Sequence, residues 1–246
     1  MADARGAGGS AGAPAATGSC SDPAAHHGLS ATDRRVGILG GTFDPIHFGH
    51  LVIAEQVGEA LSLDRVLFIP AFDPPHKPEE GMTPAPQRAE MVELAIAGNP
   101  RFAISRMELE RAGVSYTADT VARLVADAAA AGIERQFHFI MSSETLAALR
   151  TWHEPLRLMS LCRLAVVPRP GWPVPDEAEL RAVLPEGASL DGIDPVETVP
   201  LANSASDVRG RAAAGHSIRY LVPPAVEEYI HAHRLYRPVS TGGVHP

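Results

Sequence analysis

Gly40-Gly41-Thr42-Phe43-Asp44-Pro45-Ile46-His47-Phe48-Gly49-His50 is the stretch whose reading governs the rest of the chain. It is entered from Arg35-Val36-Gly37-Ile38-Leu39-Gly40, a short apolar run that fits a buried parallel strand ending in a tight turn. It is left through Leu51, Ala54, Val57, Gly58 and Leu61, which recur at helical spacing, and then through a second apolar run, Arg65-Val66-Leu67-Phe68-Ile69-Pro70. Strand, helix, strand in that order predicts a βαβ unit. The paired glycines are expected to permit positive φ and to let a bulky anion approach the main chain, while the helix adds its N-terminal dipole and free amides. That combination predicts a phosphate site. Gly40, Gly41 and Gly49 fit neither the Gly-x-Gly-x-x-Gly dinucleotide fingerprint nor the Walker pattern with its Gly-Lys-Ser/Thr, so hydride transfer and ordinary kinase chemistry lose ground. His47 and His50 are three apart at the helix start and can face phosphate oxygens together. A zinc pair would need a third ligand, and none stands at an evident spacing.

Outward from this turn the alternation continues. A helix is expected around Gln87 to Ala97, a strand at Arg101–Ser105, a helix from Ala118 to about Ala130, and strands at Gln136–Met141 and Arg163–Pro168. Pro223 and Pro224 can open a last helix on which Val226, Tyr229, Ile230 and His233 share a face. The expected fold is α/β: a doubly wound, mostly parallel sheet with a small C-terminal helical part, binding ligands beyond the carboxyl ends of its strands. Residues 71–86, dense in proline and charge, read as an active-site loop. Its Lys77 is a long cation suited to enclosing a triphosphate.

Composition sets the boundaries. The chain has 246 residues, 45% hydrophobic and 20% charged, enough for a sizeable core. With 29 acidic and 21 basic side chains its formal charge is −8, which argues against a protein built to coat nucleic acid or an anionic bilayer. Cys20 and Cys162 are too few for a disulfide framework or a cysteine-rich zinc site. No run approaches the roughly 20 apolar residues of a membrane span, and the Ala/Gly/Ser-rich start lacks the order of a secretory signal, so a cytoplasmic location is expected. Residues 1–33 are assigned to a disordered low-complexity leader, 34–238 to one domain and 239–246 to a flexible tail. His26 and His27 in the leader receive no role.

The turn resembles the signature of the nucleotidyltransferase superfamily, whose His-x-Gly-His core is here His47-Phe48-Gly49-His50. The longer match is similar to the bacterial nicotinate-nucleotide adenylyltransferases and runs from Arg35 to Arg237. It is carried by Phe68-Ile69-Pro70 with Pro74-Pro75-His76-Lys77, by Arg88 with Met91, by Ser115-Tyr116-Thr117-Ala118-Asp119-Thr120, by Trp152, and by Tyr220-Leu221-Val222-Pro223 with Leu235-Tyr236. Asn203-Ser204-Ala205-Ser206-Asp207-Val208-Arg209 is similar to the family's Ile-Ser-Ser-Thr-x-Ile-Arg motif. Ser204 and Asp207 also read as a capping-box pair, with Ser206 and first-turn amides donating to phosphate beside Arg209.

The resemblance implies a Rossmann-like nucleotidyltransferase fold and adenylyl transfer from ATP to nicotinate mononucleotide. The implied partners are those two small molecules and neither nucleic acid nor membrane, with Mg2+ bound mainly through ATP and no dedicated protein metal site. His47, His50, Lys77 and Arg209 take catalytic roles in this scheme. Gly40, Gly41, Thr42, Phe43, His47, Gly49, His50, Ser142, Glu144, Ser206 and Arg209 hold ATP, while Asp44, Lys77, Thr117, Trp152 and His153 hold the mononucleotide. Two departures stand out. Ser142-Ser143-Glu144 replaces the family's Gly-x-Asp, and Asn203 and Ala205 replace a branched apolar residue and a hydroxyl, so the site is expected to be altered without being abolished. Transfer to nicotinamide mononucleotide or phosphopantetheine, and a weakly catalytic nucleotide-binding protein, remain open at this stage.

Overall fold

The computed structural model describes residues 27–74, 81–199 and 201–237. Six parallel strands form one sheet in the order β3-β2-β1-β4-β5-β6. They are β1 (Arg35–Gly41), β2 (Arg65–Pro70), β3 (Phe102–Ile104), β4 (Gln136–Ser142), β5 (Arg163–Val167) and β6 (Ile193–Pro195). The helices are α1 (Phe48–Ala60), α2 (Ala85–Ile96), α3 (Met107–Arg111), α4 (Thr117–Ala130), α5 (Ser143–Ala147), α6 (Pro155–Leu161), α7 (Glu177–Val183), α8 (Ala205–Ala213) and α9 (Pro224–Ala232). The chain order reverses between β1 and β4, the point at which doubly wound sheets open a crevice.

Strict alternation of buried side chains builds two cores. Val36 and Ile38, Leu67 and Ile69, Phe137 and Phe139, and Leu164 and Val166 face one layer, which includes Val121 and Leu124 of α4 and Leu158 of α6. Leu39, Val66, Phe68, Ile140, Ala165 and Val167 face the other, with Ala54 and Val57 of α1, Met91 and Val92 of α2, and Val226 and Ile230 of α9. Burial on both faces is why each central strand reads as a continuous apolar run.

Three expectations are corrected. Gly40 and Gly41 stay in β1, and the left-handed backbone falls on Phe43 at φ 49°, two residues later. At Gly41 the missing Cβ leaves room for the Phe43 ring, whose Cζ would stand 3.2 Å from it, and the reversal is made where that buried ring can anchor it. Residues 27–33, assigned to the leader, pack on the domain: Leu29 is in the first core layer, and His27 bonds Ser105 Oγ at 2.9 Å and Asp127 Oδ2 at 3.1 Å. A single leucine and a partnered histidine offset the ordering cost that small-residue composition suggested. The loop expected to run through residue 86 ends earlier, because Pro86 fits the first turn of α2. Residues 1–26, 75–80 and 238–246 lie outside the described residues, Lys77 and the proposed tail among them. Among the described residues no helix is long and apolar enough to cross a membrane.

Arg88 of α2 is fully buried and ties three loops together. Its Nε donates to Thr83 O at 2.8 Å, Nη1 to Thr42 O at 2.5 Å and Nη2 to Phe72 O at 3.0 Å. Replacing it by methionine strands those carbonyls. We expect Arg88→Met to lose about 3–5 kcal/mol of unfolding free energy, the scale for removing one member of a buried charge network. Urea unfolding measures this, and an unchanged midpoint would contradict it.

Candidate active site

A cavity of about 860 Å³ opens where β1, β2, β4 and β5 end. Gly40, Gly41, Thr42, Phe43, Asp44, His47, Gly49, His50, Thr117, Ser142, Trp152, His153, Ser206 and Arg209 all line it. Of the residues named from sequence, Glu144 is not on its wall and Lys77 lies outside the described residues.

The histidine turn is built by close packing. His47 caps α1 in extended conformation, and its backbone N–H donates to His50 Nδ1 at 3.2 Å. That bond needs the Nδ1 lone pair, so the neutral His50 ring carries its proton on Nε2 as a donor. The two imidazoles stack with centroids 3.8 Å apart, and the Phe43 ring meets His50 edge-on at 5.0 Å. Position 49 is tight: a Cβ there would stand 3.0 Å from His47 Cε1 and Nδ1, so a side chain would push the His47 ring out of place. His47 is 6% exposed, and its Nδ1 is buried without a hydrogen-bond partner among the described residues. Burial, with the charge of Arg169 adding to it and Asp207 opposing, lowers its pKa to about 4.

Asp44 is an organiser of the turn. One carboxylate oxygen accepts from the Tyr236 hydroxyl at 2.7 Å and the other from the Thr83 amide at 3.3 Å. Its carbonyl accepts from Arg209 Nη1 at 2.6 Å, so Tyr236, the histidine turn and α8 meet at one residue. Burial, with the Asp44 charge adding to it, pushes the Tyr236 hydroxyl pKa far up, which keeps it a donor. The α8 N-terminus is capped as expected, with Ser204 Oγ accepting from Asp207 N at 3.1 Å. The reciprocal half of the capping box is replaced by a hydroxyl-to-carboxylate bond of 2.7 Å between the same side chains. Asn203, the apolar position of the family motif, donates through Nδ2 to Leu221 O at 2.8 Å, and that carbonyl also accepts from the Phe48 amide at 3.1 Å.

At the far end, Tyr116 caps α4 with no side-chain bond to its first turn, and Trp152 meets Phe139 edge-on at 5.9 Å. His153 stacks on Tyr116 with centroids 4.4 Å apart. Asp119, His153 and Glu154 place ligand atoms within 4.8 Å of one another, but the Arg157 guanidinium already bonds both carboxylates.

The departure at the end of β4 has a physical outcome. Ser142 caps α5, its Oγ accepting from Thr145 N at 3.1 Å, and Glu144 turns outward to pair with Arg169 Nη1 at 2.6 Å. The longer acidic arm is thus spent on a neighbouring cation and is not presented to a ligand. Sequence reading missed Arg169 and Glu108 on the cavity wall. Arg169 was accessible in principle, since Pro168-Arg169-Pro170 directly follows β5 on the side where ligands bind.

The low pKa has a defined sign. Because the unfolded histidine takes up its proton near 6.5 and the folded one only near 4, His47 costs the fold stability progressively as pH falls from 6.5 to 4. We expect its ring resonances to titrate near 4 in the free protein and His47→Gln to flatten the acid limb of the stability curve in that window. An NMR midpoint near 6.5 would overturn this reading.

Residues 38–211 match the model of the cytidylyltransferase-like family. The "Probable nicotinate-nucleotide adenylyltransferase" of Thermomicrobium roseum is 46% identical over 206 residues, covering 84% of this chain and 93% of that one. The protein of the same name from Moorella thermoacetica is 43% identical over 209 residues, covering 85% and 94%. Among solved structures, the nicotinic acid mononucleotide adenylyltransferase of Plasmodium falciparum complexed with NaAD superposes with a TM-score of 0.65 over 82% of this chain and 97% of that one; at 16% identity it speaks for the fold alone. By its sequence, this chain belongs to the nicotinate-nucleotide adenylyltransferase family of cytidylyltransferase-like enzymes.

Proposed function

We propose that the protein transfers the adenylyl group of ATP to nicotinate mononucleotide, giving nicotinate adenine dinucleotide and pyrophosphate in NAD biosynthesis in the cytoplasm. The observation that carries this is one cavity holding the histidine turn and the α8 N-terminus beside a second helix start, at α4, with an aromatic ring next to it. The cavity of about 860 Å³ is large enough for two nucleotides, and the reaction needs neither a protein nucleophile nor a general-base pair. The mononucleotide's 5′-phosphate, whose second pKa is about 6, is already anionic and attacks the α-phosphorus of ATP. A new P–O bond forms while the bond from that phosphorus to the bridging oxygen breaks, and pyrophosphate leaves with the electron pair. The protein's share is alignment and neutralisation of crowded charge.

His50 donates through Nε2 to the reacting phosphates, and His47, neutral when free, gains a proton's worth of attraction once phosphate oxygens stand beside it. Arg209 faces the polyphosphate, Gly40, Gly41 and Gly49 let it approach the main chain, and Ser206 and the first amides of α8 add donors. Lys77 is assigned to the polyphosphate from sequence. At the other end the free amides of α4, with Thr117, receive the pyridine carboxylate, and Trp152 supplies a stacking face. ATP enters as its magnesium complex, the ion held by phosphate oxygens and water, because the nearby Asp44 carboxylate is committed to Tyr236 and Thr83.

We expect His50→Ala to lower turnover about 100-fold or more, the scale for removing one preorganised charge-stabilising donor, in a protein with unchanged melting temperature. A pyrophosphate-release assay comparing nicotinate and nicotinamide mononucleotides tests the substrate, with the acid the better one. Tight ATP binding without pyrophosphate release, whatever the acceptor, would favour a nucleotide-binding role in place of catalysis.

A further inference from the structure

Glu108 is a buried carboxyl that the chemistry above leaves without a task. It stands on α3, is 7% exposed, and lines the cavity. Thr120 Oγ1 donates to its Oε1 at 2.6 Å, and the Ser115 side chain is a second neighbour that favours the charged carboxylate. Ser115 is tied elsewhere as well: its Oγ accepts the Phe72 amide at 3.1 Å, and its own amide donates to Asp73 O at 3.0 Å. Ser115 and Thr120 lie on either side of Tyr116 and Thr117, the cap and first residue of α4. Ser115, Tyr116 and Thr117, at the start of α4, line the cavity. Burial raises the carboxyl's pKa, while the hydroxyls, Arg111 and Arg88 pull it back.

We propose that Glu108 is a positioning residue for the mononucleotide, fixing the start of α4 through Ser115 and Thr120 and thereby setting both affinity for that substrate and the preference for a pyridine carboxylate over a carboxamide. The proposal rests on the function given above and names the side chain that tunes one half of it. Aligned amide donors suit a carboxylate, which accepts at both oxygens. A carboxamide offers one acceptor and turns an NH2 against the second donor. Discrimination of this kind depends on donors that cannot swing away. Glu108 limits that freedom from beside the four-residue segment 116–119, whose flanks are Ser115 and Thr120. Its loss therefore acts more on mononucleotide binding than on ATP binding.

The test is steady-state kinetics of Glu108→Gln, Glu108→Ala and Thr120→Val with ATP and each mononucleotide, alongside thermal unfolding. For Glu108→Ala we expect KM for nicotinate mononucleotide to rise about 10- to 30-fold, the range for one or two charge-assisted hydrogen bonds, with KM for ATP within about 2-fold. The acid-to-amide ratio of kcat/KM falls about 10-fold. Glu108→Gln keeps an acceptor and recovers part of both. Thr120→Val is nearly isosteric, removes the 2.6 Å bond alone, and carries the test in the same direction should the glutamate variants fail to fold. Equal rises in both KM values, or an unchanged acid-to-amide ratio in folded variants, overturn the proposal while the function stands. Absence of product from the unmodified protein with either mononucleotide overturns the function and the proposal together.

Discussion

The site depends on one buried guanidinium. Strands β1 and β2 end in segments whose carbonyls have left the sheet ladder, and buried carbonyls must find donors elsewhere. Arg88 supplies three from one rigid plane, to Thr42 after β1, Phe72 after β2 and Thr83 before α2. Burying that charge is costly, and desolvation lowers its pKa, with Asp44, Tyr236 and Glu108 countering. Two of these groups, the Asp44 and Glu108 carboxylates, line the cavity. Asp44 gathers Tyr236, Thr83 and the Arg209 side chain, and Glu108 gathers Ser115 and Thr120. The arginine's need for compensation and the cavity's need for fixed walls are met by the same carboxylates.

Local electrostatics here run against the charge of the whole. The chain carries −8 formally, yet Arg169 and Arg209 stand on the cavity wall, and the two acids that also line it are bonded within the protein. An acidic surface does not prevent anion binding when the nearby carboxylates are spent on protein donors. Glu144 shows the same economy in reverse, because by pairing with Arg169 it softens one cation at the mouth. His47 completes the pattern. Burial and the charge of Arg169 leave this imidazole neutral near pH 7.

How much of this was legible in the sequence follows from range. The six-residue run at Arg65 gave β2 with its limits, since burial on both faces makes a parallel strand continuously apolar. The Gly40 to His50 turn was readable because its residues are contiguous, and it does line the cavity. β6 was not readable: Ile193-Asp194-Pro195 has one apolar residue, and what holds its aspartate is Arg163 on β5 and His138 on β4. α5 and α6 were also missed, being too short to show a helical period. Glu144 read as a ligand acceptor because it stands where the resembled family has an aspartate, but its direction is set by Arg169, 25 positions away. The φ of Phe43 escaped for a related reason, since a buried ring can impose a left-handed backbone at a residue that composition would not choose.

A chain of short-range contacts also joins the two ends of the cavity. From Thr120 it passes to Glu108, Ser115, the Phe72 peptide unit and Arg88, and reaches the Thr42 carbonyl in the histidine turn. Each link is a hydrogen bond to a buried or half-buried group, so none can be exchanged for water without exposing the next. A reaction that uses the substrates' own oxygen and phosphorus has its rate set by how well the two are held relative to each other. Loops that moved independently would place each nucleotide well and the pair badly. Anchoring both receiving turns to Arg88 converts two binding sites into one geometry, which is the property an in-line displacement between two bound nucleotides requires.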